Sequence, residues 1–340
     1  MKIWKRNVIV LFAVLLLGGY FGLSWIGAGW LLMPSRKPVP LSMSEMFARS
    51  GVGGLRVVRN VTESGVPYLL CMPDVVTGPS RRGQILRAQL SAAGVPPGKF
   101  GEIRGTLVLL HGWGMRKENL LVTAERFCAA GFRCLIPDLP GHGENPRAAA
   151  SFGQRTDERM LPRNVLESAA RRGRFDPRPA ALWGLSMGGA CAIEAASATP
   201  ASWNALVVVS SFDALDSLVA ATLDQRVAGF GQLIEPGLAL AVLCRGGFWL
   251  PAARPGERAK ELHVPTLVVH GTADDFIPVA DGEFLYRAIP DPRKRWLPVE
   301  GALHGNVLGT PQAVFAEMAT WMLRWERVAE PARGGVAARR

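Results

Sequence analysis

Six short apolar runs recur through the chain: TLVLLHG (106–112), FRCLIPD (132–138), PAALWGLS (179–186), ALVVVSS (205–211), TLVVHG (266–271) and KRWLPVE (294–300). Each is bounded by turn residues and separated from the next by a stretch of helical pattern. A strand that reads as continuously apolar is buried on both faces, and only helices packed on both sides of a sheet bury it so. The spacing therefore predicts an α/β fold with a mostly parallel sheet flanked by helices. The interval between 211 and 266 is much longer than the others, apolar and helical in pattern, and is expected to be a cap inserted at about 212–262. Ahead of the alternation, residues 55–74 carry β-branched and aromatic residues on either side of Ser64-Gly65 and predict a hairpin. Residues 78–102 are turn-rich at both ends and predict a surface excursion with at most a short helix.

The N-terminus obeys a different pattern. From Val8 to Met33 there are 26 residues without a charge, which as a helix reach about 39 Å at 1.5 Å per residue. A bilayer core of about 30 Å is within that length, so one N-terminal transmembrane helix is expected. Lys2, Lys5 and Arg6 precede the run and Arg36 and Lys37 follow it, which favours a cytoplasmic N-terminus only weakly. Tyr20, Trp25 and Trp30 suit a membrane interface. The rival is a signal peptide cut near Ala28 or Gly29, but no A-x-A triplet stands there and no lipobox cysteine follows. The organisation expected is an anchor and Pro-rich linker over 1–37, a catalytic domain over 38–328 and a basic disordered tail over 329–340. The domain would lie outside the cytoplasm.

The net charge of +11 is concentrated at the ends: residues 1–37 contribute +5 and residues 329–340 contribute +2, which leaves +4 for the folded part. That distribution argues for membrane flanks and a basic tail and against nucleic-acid binding. The five cysteines, Cys71, Cys128, Cys134, Cys191 and Cys244, show neither C-x-x-C nor Cys/His spacing and read as buried small hydrophobes rather than a metal site or a disulfide framework.

Within the third apolar run, GLSMGG (184–189) contains G-x-S-x-G. The motif is short, and its context gives it weight: AALW is a buried-strand pattern ending at Gly184, and MGGACAIEAASA is an Ala-rich helix pattern that starts just after Ser186. A serine at a sharp strand-to-helix turn has a strained backbone, flanking glycines that admit close neighbours, and a helix N-terminus that favours negative charge. With its partners the chain resembles an α/β-hydrolase-fold serine hydrolase, in the style of monoacylglycerol lipases, serine aminopeptidases and small esterases. The resemblance covers roughly residues 55–327 and rests on HGWG (111–114), PDLPGHGEN (137–145), HGTADDFIP (270–278) and GALHGN (301–306), in the family's order. It implies a catalytic triad of Ser186, Asp274 and His304, and an oxyanion hole made by the backbone N–H groups of Trp113 and Met187.

The chemistry asks for the same residue types. Ser186 needs a neutral imidazole to take its proton, and the imidazole needs a carboxylate to fix its tautomer. The G-x-x-D-x-x-x-P spacing from Gly271 to Pro278 selects Asp274, with Asp275 as a solvated neighbour; Asp213, just after the fourth run, is the alternative acid. His111 is expected to brace the oxyanion loop, His142 to pack in its turn, His270 to end a strand and His263 to lie on a polar connector. Arg116 and Lys117 are open to two readings, contact with an anionic substrate or plain solvation. Leu218, Leu223, Phe230, Leu233, Leu238, Phe248 and Trp249 make the cap apolar, which suits an acyl or alkyl group. The expected substrate is a small-molecule ester or acyl compound, with no cofactor and no metal. A serine peptidase on the same scaffold and a non-catalytic membrane interaction protein are the alternatives.

Overall fold

The computed structural model describes residues 2–36, 38, 52–226 and 231–325. The expected tail, Phe230 and, of the Pro-rich linker, Lys37, Val39 and Pro40 lie outside these residues. Eight strands form one sheet: β1 (Leu55–Val61), β2 (Pro67–Pro73), β3 (Gly105–Leu110), β4 (Phe132–Pro137), β5 (Ala180–Leu185), β6 (Ala205–Val209), β7 (Thr266–Gly271) and β8 (Lys294–Val299). Their order across the sheet is β1-β2-β4-β3-β5-β6-β7-β8. The β1–β2 hairpin and the β2–β4 pair are antiparallel, and all other neighbours are parallel. The hairpin turns where Ser64-Gly65 predicted it, with Gly65 at φ 82°.

Side chains alternate across the central strands, as the two-residue period of a strand requires. Leu182, Leu206 and Val208 enter one buried layer, while Trp183, Val207 and Val209 enter the other. The first layer is closed by α4 (Thr156–Gly173), α5 (Met187–Ala198) and the cap. The second is closed by α2 (Arg81–Ala92), α3 (Leu121–Ala129) and α10 (Val314–Arg324). The excursion at 78–102 exceeds the short helix expected of it: α2 has 12 residues, capped by Ser80 Oγ accepting from Gly83 N–H. Leu86 and Leu90, one turn apart, are buried, and that pair decides the matter against the polar ends.

The long interval after β6 folds into α6 (Leu215–Arg226), α7 (Gly231–Gly246) and the short α8 (Pro255–Ala259), and α9 (Val279–Ala288) follows β7. Leu238 and Phe248 of the cap are buried, Leu218 and Leu223 are partly buried, and Leu233 and Trp249 are exposed. Four cysteines are buried as expected, whereas Cys244 is exposed, because it faces outward on α7.

The N-terminal run is a single helix, α1 (Lys2–Leu32), long and apolar enough over Arg6–Leu32 to cross a membrane. Its two halves differ. Residues 6–19 are exposed along their length, whereas Ser24, Ala28 and Leu32, each one turn apart, are buried against the folded domain.

Candidate functional site

Ser186 follows β5 directly and stands as the residue before α5, at φ 56° and ψ −121°. A non-glycine residue held there costs on the order of 1–3 kcal/mol, and its surroundings fix it. Its N–H donates to the Val209 carbonyl at 2.8 Å, and its own carbonyl accepts from Gly189 N–H at 2.8 Å and Ser211 Oγ at 3.0 Å. The turn closes only because Gly188 has no side chain: a β-carbon there would stand 2.2 Å from the Leu110 carbonyl. Met187 opens α5, so its N–H is one of the first-turn donors that a helix leaves without an intrahelical partner.

The loop after β3 runs beside this turn, since a β-carbon at Gly112 would lie 3.5 Å from Ser186 Cβ. Trp113 comes next, with its side chain 48% exposed. Behind the loop, His111 Nε2 accepts from Leu139 N–H at 3.1 Å and Nδ1 lies 2.9 Å from the Gly112 carbonyl. Burial pushes the His111 imidazole down to about 4, so it is a neutral brace. Lys117 is not solvated and does not face open space, which corrects both readings made of it. Its Nζ sits 2.7 Å from Asp138 Oδ2 and 2.6 Å from Glu144 Oε2, and its N–H donates to Asp138 Oδ1 at 2.8 Å. Burial opposes the charge on Lys117, but these carboxylates outweigh it and raise the ammonium above its ordinary value. Arg116 is tied to Glu118 at 2.6 Å. The partners stand 21 and 27 residues from Lys117, beyond any local pattern.

Asp274 and His304 come from the loops after β7 and β8. Asp274 Oδ2 is 2.9 Å from His304 Nδ1, while Oδ1 accepts from Phe276 N–H at 3.0 Å and Ile277 N–H at 2.8 Å. Its side chain is 0% exposed and that of His304 is 21% exposed. Burial alone would raise the Asp274 carboxyl; the hydrogen bonds from His304, Ile277 and Phe276 together bring it below its usual value. His270 Nε2 is 3.5 Å from the same Oδ2 but 2.9 Å from the Ile277 carbonyl. Its buried Nδ1 has no partner among the described residues, and burial lowers its pKa. A neutral His270 leaves the Asp274 charge to His304.

Asp275 is exposed and is more than a solvated neighbour, since its Oδ1 accepts from His304 N–H at 3.3 Å. Phe276, which the sequence did not single out, sets its ring edge-on to His304 with centroids 5.2 Å apart. Asp213, the alternative acid, belongs to another cluster: burial raises its carboxyl, and burial with the Asp213 charge raises Asp281 to about 6. Among the described residues, Ser186 Oγ and His304 Nε2 are not joined by a hydrogen bond. Serine and base contacts are often long before substrate tightens them. No group of three His, Cys, Asp or Glu among the described residues is placed to hold a metal ion.

Comparison with known proteins bears on the family. Residues 101–243 match the family model described as serine aminopeptidase, S33. A pimeloyl-[acyl-carrier protein] methyl ester esterase of Aeromonas hydrophila is 30% identical over 246 residues, 61% of this chain and 91% of that protein. The chain belongs to the α/β-hydrolase family of serine hydrolases. A monoacylglycerol lipase of Mycolicibacterium smegmatis is 26% identical over 257 residues, 65% of the hydrolase and 88% of the lipase. Against two uncharacterized Mycobacterium tuberculosis proteins, 30% identical over 176 residues, the hydrolase spans about half their length, 54%. Among solved structures, an esterase of Pyrococcus furiosus superposes with a TM-score of 0.59 at 14% identity, over 86% of the hydrolase and 99% of that esterase. At that identity the likeness concerns the fold.

Proposed function

We propose that the chain is a membrane-anchored serine hydrolase that cleaves carboxylic esters through an acyl-enzyme on Ser186. The observation that carries this reading is the Asp274–His304 hydrogen bond of 2.9 Å, with Asp274 itself pinned by two backbone N–H groups. His304 then keeps its proton on Nδ1 and offers Nε2 as base. Nε2 takes the Ser186 proton as Oγ bonds to the ester carbonyl carbon. The resulting oxyanion is held by the Trp113 and Met187 N–H groups. The ester C–O bond breaks as His304 returns the proton to the alcohol. Water, deprotonated by His304, adds to the acyl carbon; the bond to Oγ breaks as His304 returns that proton to Oγ, and the acid leaves. No step calls for a cofactor.

Esters are favoured over peptides because the esterase and lipase relatives act on esters by name and the cap is apolar. The serine aminopeptidase description of the family model supports the second reading, a peptidase on the same scaffold. Residues 1–37 are read as anchor and linker, 38–328 as the catalytic domain, and the domain as extracytoplasmic. Retention of α1 is supported by Ala28 and Leu32, both fully buried against the domain, since a cut beside them would strip packed surface. The test is a panel of short- and long-chain acyl esters against aminoacyl amides, using full-length protein in detergent or vesicles. Higher kcat/KM on esters is expected; turnover of amides without turnover of esters would overturn the ester reading.

A further inference from the structure

The C-terminal half of α1 and the cap helix α7 form a side-by-side pair. Tyr20 Oη donates to the Leu233 carbonyl at 3.0 Å and accepts from Gly237 N–H at 2.8 Å, inserting between a carbonyl and an N–H four residues apart on α7. A β-carbon at Gly237 would stand 2.5 Å from Ser24 Oγ, and one at Gly27 would stand 3.2 Å from Leu238 Cδ1. Farther along, Arg245 Nη1 donates to the Trp25 carbonyl at 2.6 Å, with its guanidinium 4.9 Å from the Trp25 ring centre. Small residues that let two helices approach this closely are characteristic of packing within membranes.

The outer face of α7 is not that of a helix in water. Leu233 is 67% exposed, Leu240 44% and Leu243 43%. Pro236 and Cys244 continue the stripe, and among the exposed residues of α7 only Gln232 is polar. Glu235 and Arg245 are half-buried beside this stripe, so α7 carries a contiguous exposed apolar face, and such a face marks a membrane or interaction surface. Together with Leu250–Ala259, from which it is bent by 87°, α7 is apolar enough for a re-entrant membrane segment.

We propose that α7 is seated in the same membrane leaflet into which α1 emerges, with its outer face against lipid acyl chains. About 20 residues of helix fill the hydrocarbon core, so a span counted from Arg6 ends near Trp25. Leu233, bonded to Tyr20, then lies about 8 Å below that boundary, the depth at which interfacial helices bury their apolar faces. Arg245, stacked on Trp25, falls at headgroup level, where a guanidinium and an indole are both at home. The Trp113 indole donates to the Leu31 carbonyl at 2.9 Å, so the loop beside Ser186 stands at this same end of α1. Leu31 is about 9 Å beyond Trp25 along α1, so the site stands at the outer edge of the headgroup layer of that leaflet, from which an ester-bearing lipid is drawn to it. That consequence rests on the ester-hydrolase and anchor readings, whereas the placement of α7 rests on the anchor alone.

The test uses full-length protein in phosphatidylcholine vesicles, with Cys244→Ser as background and an environment-sensitive fluorophore at Leu233→Cys, Leu11→Cys or Val76→Cys. Val76 is 90% exposed and follows β2 at the end of the sheet opposite the Trp113 loop. Doxyl-labelled lipids should quench the Leu233 label as strongly as the Leu11 label, while aqueous iodide reaches only the Val76 label. Quenching at Leu11 with iodide access at Leu233 would overturn the embedding of α7 and leave the anchor standing. Iodide access at both would overturn the anchor as well. A Leu233 label shielded from iodide yet unquenched by lipid would assign the face to a protein contact and overturn the proposal. None of these outcomes depends on catalysis. A separate arm, Leu240→Asp with Leu243→Asp, should lower turnover of a long-chain ester in vesicles several-fold and leave a soluble short-chain ester unaffected. Equal loss on both substrates, or on neither, would overturn delivery from the leaflet.

Discussion

Replacing Asp274 by asparagine changes one atom and, through it, the tautomer of His304. The carboxylate divides its oxygens: Oδ1 accepts from the Phe276 and Ile277 N–H groups, at 3.0 and 2.8 Å, and Oδ2 faces His304 Nδ1 at 2.9 Å. Asparagine keeps only one oxygen. Two backbone donors demand an acceptor, so the amide oxygen stays at the Oδ1 position and the NH2 turns toward His304. The flipped amide would leave both donors unpaired, at about 1–3 kcal/mol each. His304 must then present a lone pair at Nδ1 and carry its proton on Nε2, where it cannot accept from Ser186. Loss of the base through the wrong tautomer lowers kcat by about 10⁴, or roughly 5.5 kcal/mol. Asp275→Asn is the control, because its Oδ1 accepts only from His304 N–H, at 3.3 Å. An asparagine oxygen does the same, so kcat should stay within about twofold. The assay is steady-state release of nitrophenol from an acyl ester, with the melting temperature of each variant as a check on folding. Retention by Asp274→Asn of more than about a tenth of the wild-type kcat, at an unchanged melting temperature, would refute the reasoning.

Three further outcomes follow from packing and protonation. Gly188→Ala drives a β-carbon to 2.2 Å from the Leu110 carbonyl and should cost about 3 kcal/mol or more in a urea titration; wild-type stability would mean that the turn has room. Buried His111 is held from its ordinary 6.5 down to about 4, so between those values the unfolded chain binds the proton and the native one does not. Its contribution to stability is whole above pH 6.5 and drains as pH falls to about 4, by up to about 3 kcal/mol. Melting temperatures across that window should fall, and more shallowly in His111→Gln; identical slopes would exclude His111 as the cause. Trp113→Phe removes the indole donor to the Leu31 carbonyl, worth about 1 kcal/mol, and should lower kcat several-fold with KM little changed. A rise in KM at constant kcat would place Trp113 in ground-state binding instead.

What the sequence disclosed and what it withheld divide along physical lines. The sheet was readable because a strand buried on both faces must be apolar throughout, and Leu182 and Trp183 could be assigned to opposite layers by period alone. The elbow at Ser186 was readable because a close approach such as that between Gly188 and Leu110 forces a glycine. Lys117 was not readable, since its meaning lies in Asp138 and Glu144, which no local rule brings to it. Nor were the contacts of α1. A run apolar enough to cross a membrane gives no sign that Tyr20 inserts into α7 or that Leu31 receives the Trp113 indole 82 residues away. Cys244 was misread for the same reason, because its exposure depends on which face of α7 meets α1. The loop at 78–102 shows the converse error, where two leucines one turn apart outweighed the polar residues around them.

The central claim is that Ser186 becomes covalently acylated, and the most direct measurement is active-site labelling. A fluorophosphonate incubated with the full-length protein should add one adduct by intact mass, mapped by peptide sequencing to Ser186. Ser186→Ala should take no label at the same melting temperature, and His304→Ala should label far more slowly, because the hydroxyl then lacks its base. An adduct that persists in Ser186→Ala, or that maps to any other residue, would contradict the account.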